Sequence, residues 1–166
     1  MTTQIPDGFV FRGEDFVVLE LGTDIFDSQD FATPEDFGMK SQMTSTANRR
    51  GFAASYELSD DGLRLRQFAL SERAGHYVPI GGVSATRDPD GSYGCYEGLN
   101  LLIQFSGRVR IARGHNRDPA ARRTRTRTSS PFPYGQVFDL TLDDGKLVSI
   151  ADRTDEPGKD IPPLAA

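Results

Sequence analysis

The sequence has little cysteine, little histidine and no long apolar segment. Its one cysteine, Cys95, excludes a disulfide within the chain and a zinc site built from several thiolates. The longest apolar runs, Phe16–Leu19 and Leu101–Ile103, are far shorter than the roughly 20 residues that a membrane-spanning helix needs. The N-terminus lacks the basic and apolar regions of a secretory signal, and the C-terminus lacks a lipidation motif. We therefore expect a soluble, cytosolic protein that does not bind membranes.

The motifs of the common enzyme classes are missing as well. The sequence contains no Gly-x-Ser-x-Gly, no phosphate-binding Gly-x-x-x-x-Gly-Lys and no His-Glu-x-x-His. Its two histidines, His76 and His115, stand in no spacing that specifies a metal ligand or a general base. Cys95 lies among strand-forming residues, where a lone cysteine is usually a small buried side chain. We predict no catalytic residue, no metal site and no cofactor, and the sequence leans against an enzyme without deciding the question.

Alternation of apolar and polar residues with a period of two dominates the chain and is typical of strands. The 17 glycines and 10 prolines favour many short connections between such strands. Two alternating runs, residues 52–58 and 138–142, are each followed within a few residues by an Asp-Gly pair, Asp61-Gly62 and Asp144-Gly145. Because Asp and Gly tolerate positive φ, each pair predicts a β-hairpin.

A further strand is predicted at residues 99–105, with Asn100, Leu102 and Gln104 on the face opposite the more apolar one. The best helix signal is Thr33-Pro34, a capping residue followed by proline, and it predicts one or two turns. We predict a single domain over residues 1–166 with an all-β, mainly antiparallel fold. About eight strands built from hairpins and at most one short helix are expected, arranged as a β-sandwich or a closed β-barrel.

The net charge of −5 conceals two segments of opposite sign. Residues 1–48 contain nine acids and two bases, a net charge of −7, whereas residues 108–127 contain eight arginines and one aspartate, a net charge of +7. Many of these arginines fall in an Arg/Thr-rich segment, residues 114–135, which we predict to be a long polar loop. Residues 154–166 are predicted to form an extended tail. Such a charge separation affects partners and association rates more than the fold.

The first functional hypothesis is a protein-binding domain, such as an inhibitor or immunity-type protein that neutralises a basic partner. Acidic residues within 1–48 would steer the protein onto a positive surface. The predicted protein-binding residues are Asp24, Asp27, Asp30, Glu35 and Asp36.

The second hypothesis is a β-barrel or sandwich that binds or transforms a small anionic ligand in an internal pocket. Inward polar groups such as Tyr56, Asn100 and Gln104 would line that pocket. The polar segment Ser41–Gly51, which includes Arg50, would form its mouth.

The third hypothesis is weak polyanion binding through the arginines of the polar loop. The predicted anion-binding residues are Arg122, Arg123, Arg125 and Arg127. In an extended chain, alternate arginines would be roughly 6.6 Å apart, close to the ~6.8 Å between alternate phosphates of one strand in a duplex. Nucleic acid is the less favoured partner, because no aromatic side chain alternates with these arginines to stack on bases.

Overall fold

The computed structural model describes residues 5–22, 30–115 and 134–154, and these ranges are dominated by strands. One helical element occurs in them, a 3-10 helix over Pro34–Phe37. The ten strands are β1 (Gly8–Phe11), β2 (Glu14–Gly22), β3 (Phe52–Ser59), β4 (Gly62–Leu70), β5 (Thr86–Arg87), β6 (Gly94–Tyr96), β7 (Leu101–Leu102), β8 (Gly107–His115), β9 (Tyr134–Asp143) and β10 (Lys146–Asp152). The prediction of an all-β fold with at most one short helix is confirmed, with ten strands in place of about eight.

All ten strands belong to one sheet with the order β10-β9-β8-β2-β1-β3-β4-β6-β5, and β7 pairs with β4 beside β6. Neighbouring strands are antiparallel except β1 and β3, which are parallel. The sheet is not closed, so the closed barrel among the two predicted architectures is not formed. The sheet is nevertheless curved, so that the β9–β10 turn contacts β4 and the segment after β7. The Leu63 N–H donates to the Gly145 carbonyl oxygen (2.7 Å), and the Gly145 N–H donates to the Phe105 carbonyl oxygen (2.7 Å).

Both predicted hairpins are present, as the β3–β4 and β9–β10 pairs. The turn between β9 and β10 has the expected positive φ at Asp144 (49°) and Gly145 (79°). In the β3–β4 hairpin the positive φ falls instead on Gly62 (123°), the first residue of β4. The alternating segment 99–105 forms a ladder only at Leu101–Leu102, although its predicted faces are correct.

Aromatic side chains fill much of the inner face of the sheet. Phe31 lies at their centre: its ring centroid is 4.7 Å from that of Phe105, 4.9 Å from that of Tyr56 and 6.1 Å from that of Phe9. Edge-on contacts of this kind add to the burial of apolar area. Phe31 is therefore anchored in the core although it belongs to no strand.

Several predicted features lie wholly or partly outside the described residues. Residues 114–115 and 134–135 of the predicted polar loop belong to β8 and β9, and the remainder of that loop lies outside the description. The predicted tail also lies outside the description, except for its first residue, Thr154.

In the ranges that the structure covers, no helix has the length and hydrophobicity needed to cross a membrane.

Candidate binding groove

An open groove runs between the segment around the 3-10 helix and the segment that follows β7. Its volume is about 370 Å³. The described residues that line it are Phe31, Ala32, Asp36, Phe37, Leu102, Ile103 and Gln104. Aromatic and aliphatic side chains therefore dominate its surface, and Asp36 is the one ionisable side chain among these lining residues. We call this feature the binding groove.

The first wall of the groove is held by local hydrogen bonds and by aromatic packing. The Asp36 carboxylate accepts hydrogen bonds from the Thr33 backbone N–H (2.8 Å) and hydroxyl (3.3 Å), which close the start of the 3-10 helix. Pro34 at the first helical position is buried, and its fixed φ suits that position. The Phe37 ring packs edge-on against Phe68 of β4, with centroids 5.4 Å apart. The wall is thus fixed to the sheet.

The second wall is the chain from Leu102 to Gln104. Leu102 is paired with Arg64 of β4, and the Ile103 N–H donates to the Leu63 carbonyl oxygen at 2.8 Å. The Leu102 side chain is 52% exposed, and Gln104 is exposed as well. A large apolar side chain exposed beside an apolar groove is a feature of interaction sites.

A cluster of charged side chains anchors the chain just before the first wall. Arg50 donates hydrogen bonds to both carboxylate oxygens of Asp7 (2.8 and 3.3 Å), and it forms an ion pair with Asp30. The Arg50 guanidinium also lies over the Phe52 ring, 4.4 Å from its centroid. Asp7 is buried and accepts the Ala54 N–H at 2.9 Å. The cluster thereby ties Asp30, the residue preceding Phe31, to Asp7 just before β1 and through Asp7 to Ala54 of β3.

Burial disfavours the charged forms of this cluster, whereas the attraction between Arg50 and the two carboxylates favours them. Burial raises the pKa of Asp30 above its usual value; the positive charge of Arg50 opposes this rise, and the negative charge of Asp7 adds to it. Burial would lower the pKa of Arg50, but hydrogen bonds and charge attraction from Asp7 and Asp30 raise it. Arg50 is consequently cationic at every physiological pH.

The hydroxyl group of Tyr56 is buried close to this cluster. The backbone of Ala32 lies close enough to the hydroxyl to lower the pKa of this phenol slightly. Among the described residues, however, no group forms a hydrogen bond of ordinary geometry with the hydroxyl. Burial raises the pKa of Tyr56 well above its usual value, and the carboxylates of Asp7 and Asp30 raise it further. The folded protein therefore strongly favours the neutral phenol.

Tyr56 should make the protein sensitive to alkali. In the unfolded chain this phenol ionises near pH 10, whereas the folded protein retains the proton. Ionisation of Tyr56 therefore adds no pH dependence to the free energy of unfolding below about pH 10. Above that pH the free energy of unfolding falls, because only the unfolded chain releases the proton. Chemical denaturation followed by circular dichroism between pH 9 and 12 measures this fall. The Tyr56→Phe variant should lose less stability than wild type over this range, and equal losses in both proteins would contradict the assignment.

Of the five acids predicted to bind a partner, one lines the binding groove. Asp36 lines it, and Glu35 is exposed on the same 3-10 helix. Asp30 is engaged with Arg50 in the cluster behind the wall. Asp24 and Asp27 lie outside the described residues, as do all four arginines predicted to bind anions.

The residues predicted to line an internal pocket occupy different environments. Tyr56 is fully buried, but Asn100 and Gln104 are exposed, so these two do not point into the interior. Arg50, predicted near the mouth of such a pocket, is engaged with two carboxylates. Cys95 is half-buried, and burial together with Asp88 and Glu97 raises the pKa of its thiol, which disfavours the reactive thiolate.

The sequence reasoning did not identify the apolar lining of the groove. It grouped Leu102 with Asn100 and Gln104 on the face opposite the apolar one, and the structure shows all three of these residues exposed. An apolar side chain among polar neighbours on an outward face was the available signal. Its groove partner Phe37 carries no comparable signal, because a single phenylalanine in a helix of four residues has no periodicity.

Comparison of the chain with protein-family models, with curated proteins and with solved structures finds no match.

Proposed function

We propose that the protein is a binding domain that recognises a basic protein partner through the binding groove. The observation that carries this proposal is an open apolar groove with exposed Leu102 on one wall and acidic Asp36 on the other. A partner with an apolar side chain next to a lysine or arginine matches both features. The negative charge of residues 1–48 supports faster association with such a partner.

Neutralisation and inhibition of a basic partner is the most specific form of this proposal. The cytosol is its proposed setting, which the single cysteine supports. A small anionic ligand is less well supported, because the ionisable residue in the groove lining is an acid.

The proposal predicts a partner whose capture depends on the groove. Immobilised wild-type protein and the Glu35→Gln/Asp36→Asn variant are exposed to host lysate at low and high salt, and the retained proteins are identified. The Asp36→Asn change preserves a side-chain oxygen that accepts from Thr33, so the 3-10 helix keeps its cap. We expect one basic protein to be retained by wild type, to elute at high salt, and to bind the double variant roughly tenfold more weakly.

Two further variants make this test specific to the groove. Leu102→Glu changes an exposed side chain and should abolish capture without unfolding the protein. Asp88→Asn/Glu97→Gln removes the same charge from positions that are not among the lining residues, and capture should persist. Retention of the same protein by the groove variants would refute the proposal.

A further inference from the structure

The second wall of the groove is also a strand edge. In an antiparallel ladder, alternate residues direct their backbone N–H and C=O groups toward the partner strand and away from it. The Ile103 N–H donates to Leu63 of β4, so the backbone groups of Leu102 and Gln104 point to the opposite side. Within the described parts of the chain, no backbone group hydrogen-bonds to Gln104.

Among the residues that the structure describes, none provides this edge with a feature that usually prevents strand addition. Proteins protect exposed edges with lysine, proline, inward charges or a covering element. The chain from Leu101 to Phe105 contains no charged residue and no proline. The edge adjoins the binding groove, and the 3-10 helix lies on the opposite wall of that groove.

We propose that the partner inserts an extended basic segment that adds a strand along Leu102–Gln104, between this edge and the 3-10 helix. This inference rests on the proposed function and specifies its recognition mode. The edge offers the outward N–H donors and C=O acceptors of Leu102 and Gln104, which bind any extended backbone. Alternate side chains of the added strand then confer specificity.

The chemistry of the groove defines those side chains. One faces the apolar surface formed by Phe37 and Leu102, where an aliphatic or aromatic side chain is buried. A neighbouring lysine or arginine lies within reach of Asp36 and of exposed Glu35. The recognised segment is therefore extended, alternately apolar, and basic.

The probe is a peptide obtained by panning a displayed library of random heptapeptides on the wild-type protein, then synthesised with a fluorescent label. Its affinity is measured by fluorescence anisotropy for wild type, Gln104→Pro and Gln104→Ala. Proline removes the outward N–H, which no described backbone group uses, whereas alanine removes only the exposed side chain. We expect Gln104→Ala to bind like wild type and Gln104→Pro to bind roughly tenfold more weakly.

A second measurement remains decisive if Gln104→Pro does not fold. The probe is N-methylated at each backbone nitrogen in turn and tested on the unmodified protein. Strand addition predicts that methylation weakens binding at alternate positions only, since only every second N–H faces the edge. Uniform or absent effects would overturn the proposed strand addition.

The outcomes separate this inference from the proposed function. In one outcome, the Leu102→Glu and Glu35→Gln/Asp36→Asn variants bind the probe more weakly, whereas Gln104→Pro and N-methylation of the probe have no effect. The groove then binds a basic partner without strand addition. If no heptapeptide is enriched, or the enriched ones ignore all these changes, both proposals fail. If light scattering shows a wild-type dimer that Gln104→Pro dissociates, the edge binds a second copy, and the inference is wrong.

Discussion

Arg50→Ala should lower the free energy of unfolding by about 3 kcal/mol at neutral pH. Removing one member of a buried ion pair typically costs about 3–5 kcal/mol, because the remaining charge stays desolvated. We expect the lower end of that range, since Arg50 is 27% exposed. Asp7 and Asp30 would then face each other without the cation between them, and the contact with the Phe52 ring would be lost. Urea denaturation followed by circular dichroism measures the change.

Two further variants test the cause of that loss. Arg73→Ala removes an equal charge from an exposed position and should change the free energy of unfolding by less than about 0.5 kcal/mol. Adding Asp30→Asn to Arg50→Ala should recover part of the stability, because it removes one of the two facing carboxylates. A loss below about 1 kcal/mol for Arg50→Ala would show that the cluster contributes little.

The same cluster should affect the groove, because Asp30 directly precedes Phe31. Arg50→Ala removes an anchor of the first wall, whereas Phe31 remains packed against Tyr56 and Phe105. The variant is therefore expected to bind the groove partner more weakly even under conditions where it is fully folded. Its unfolding curve identifies those conditions.

Gly51→Ala should be the most damaging glycine-to-alanine change, with a loss of about 2–5 kcal/mol in the free energy of unfolding or a failure to fold. Gly51 has φ 74°, which costs an L-residue roughly 1–2 kcal/mol. Its new β-carbon would also overlap the carbonyl group of Gln42, which adds about 1–3 kcal/mol. That carbonyl cannot easily retreat, because Gln42 and Gly51 both hydrogen-bond to the backbone of Ser71 at 2.9 Å.

Gly75→Ala is the matched control for the conformational part of this effect. Gly75 has a similar φ of 71°, and an added β-carbon there meets no atom within 4 Å. We expect a loss of roughly 1–2 kcal/mol, measured by the same denaturation experiment. Equal losses in the two variants would mean that the overlap with Gln42 is relieved at no cost.

The groove itself was beyond sequence reasoning for a physical reason. Its walls contain Phe37 and Leu102, which lie 65 positions apart in the sequence and meet only after the sheet has formed. The pairing of Asp7 with Arg50 is similarly distant, spanning 43 positions. Charge patterning selected Asp30 and Asp36 as surface acids, but packing gave them different roles. Asp30 supports the wall from behind, whereas Asp36 faces the groove.

The sequence by itself determined the all-β class, the alternating faces of residues 52–58 and the two Asp-Gly hairpins. Those features follow from period-two alternation and from residues that tolerate a turn, and both act over a few neighbouring positions. Only the tertiary structure decided the parallel pairing of β1 with β3, the open sheet, and the edge that Leu102 and Gln104 expose. Such features depend on which distant surfaces bury one another and which backbone groups remain unused, and no local pattern encodes that outcome.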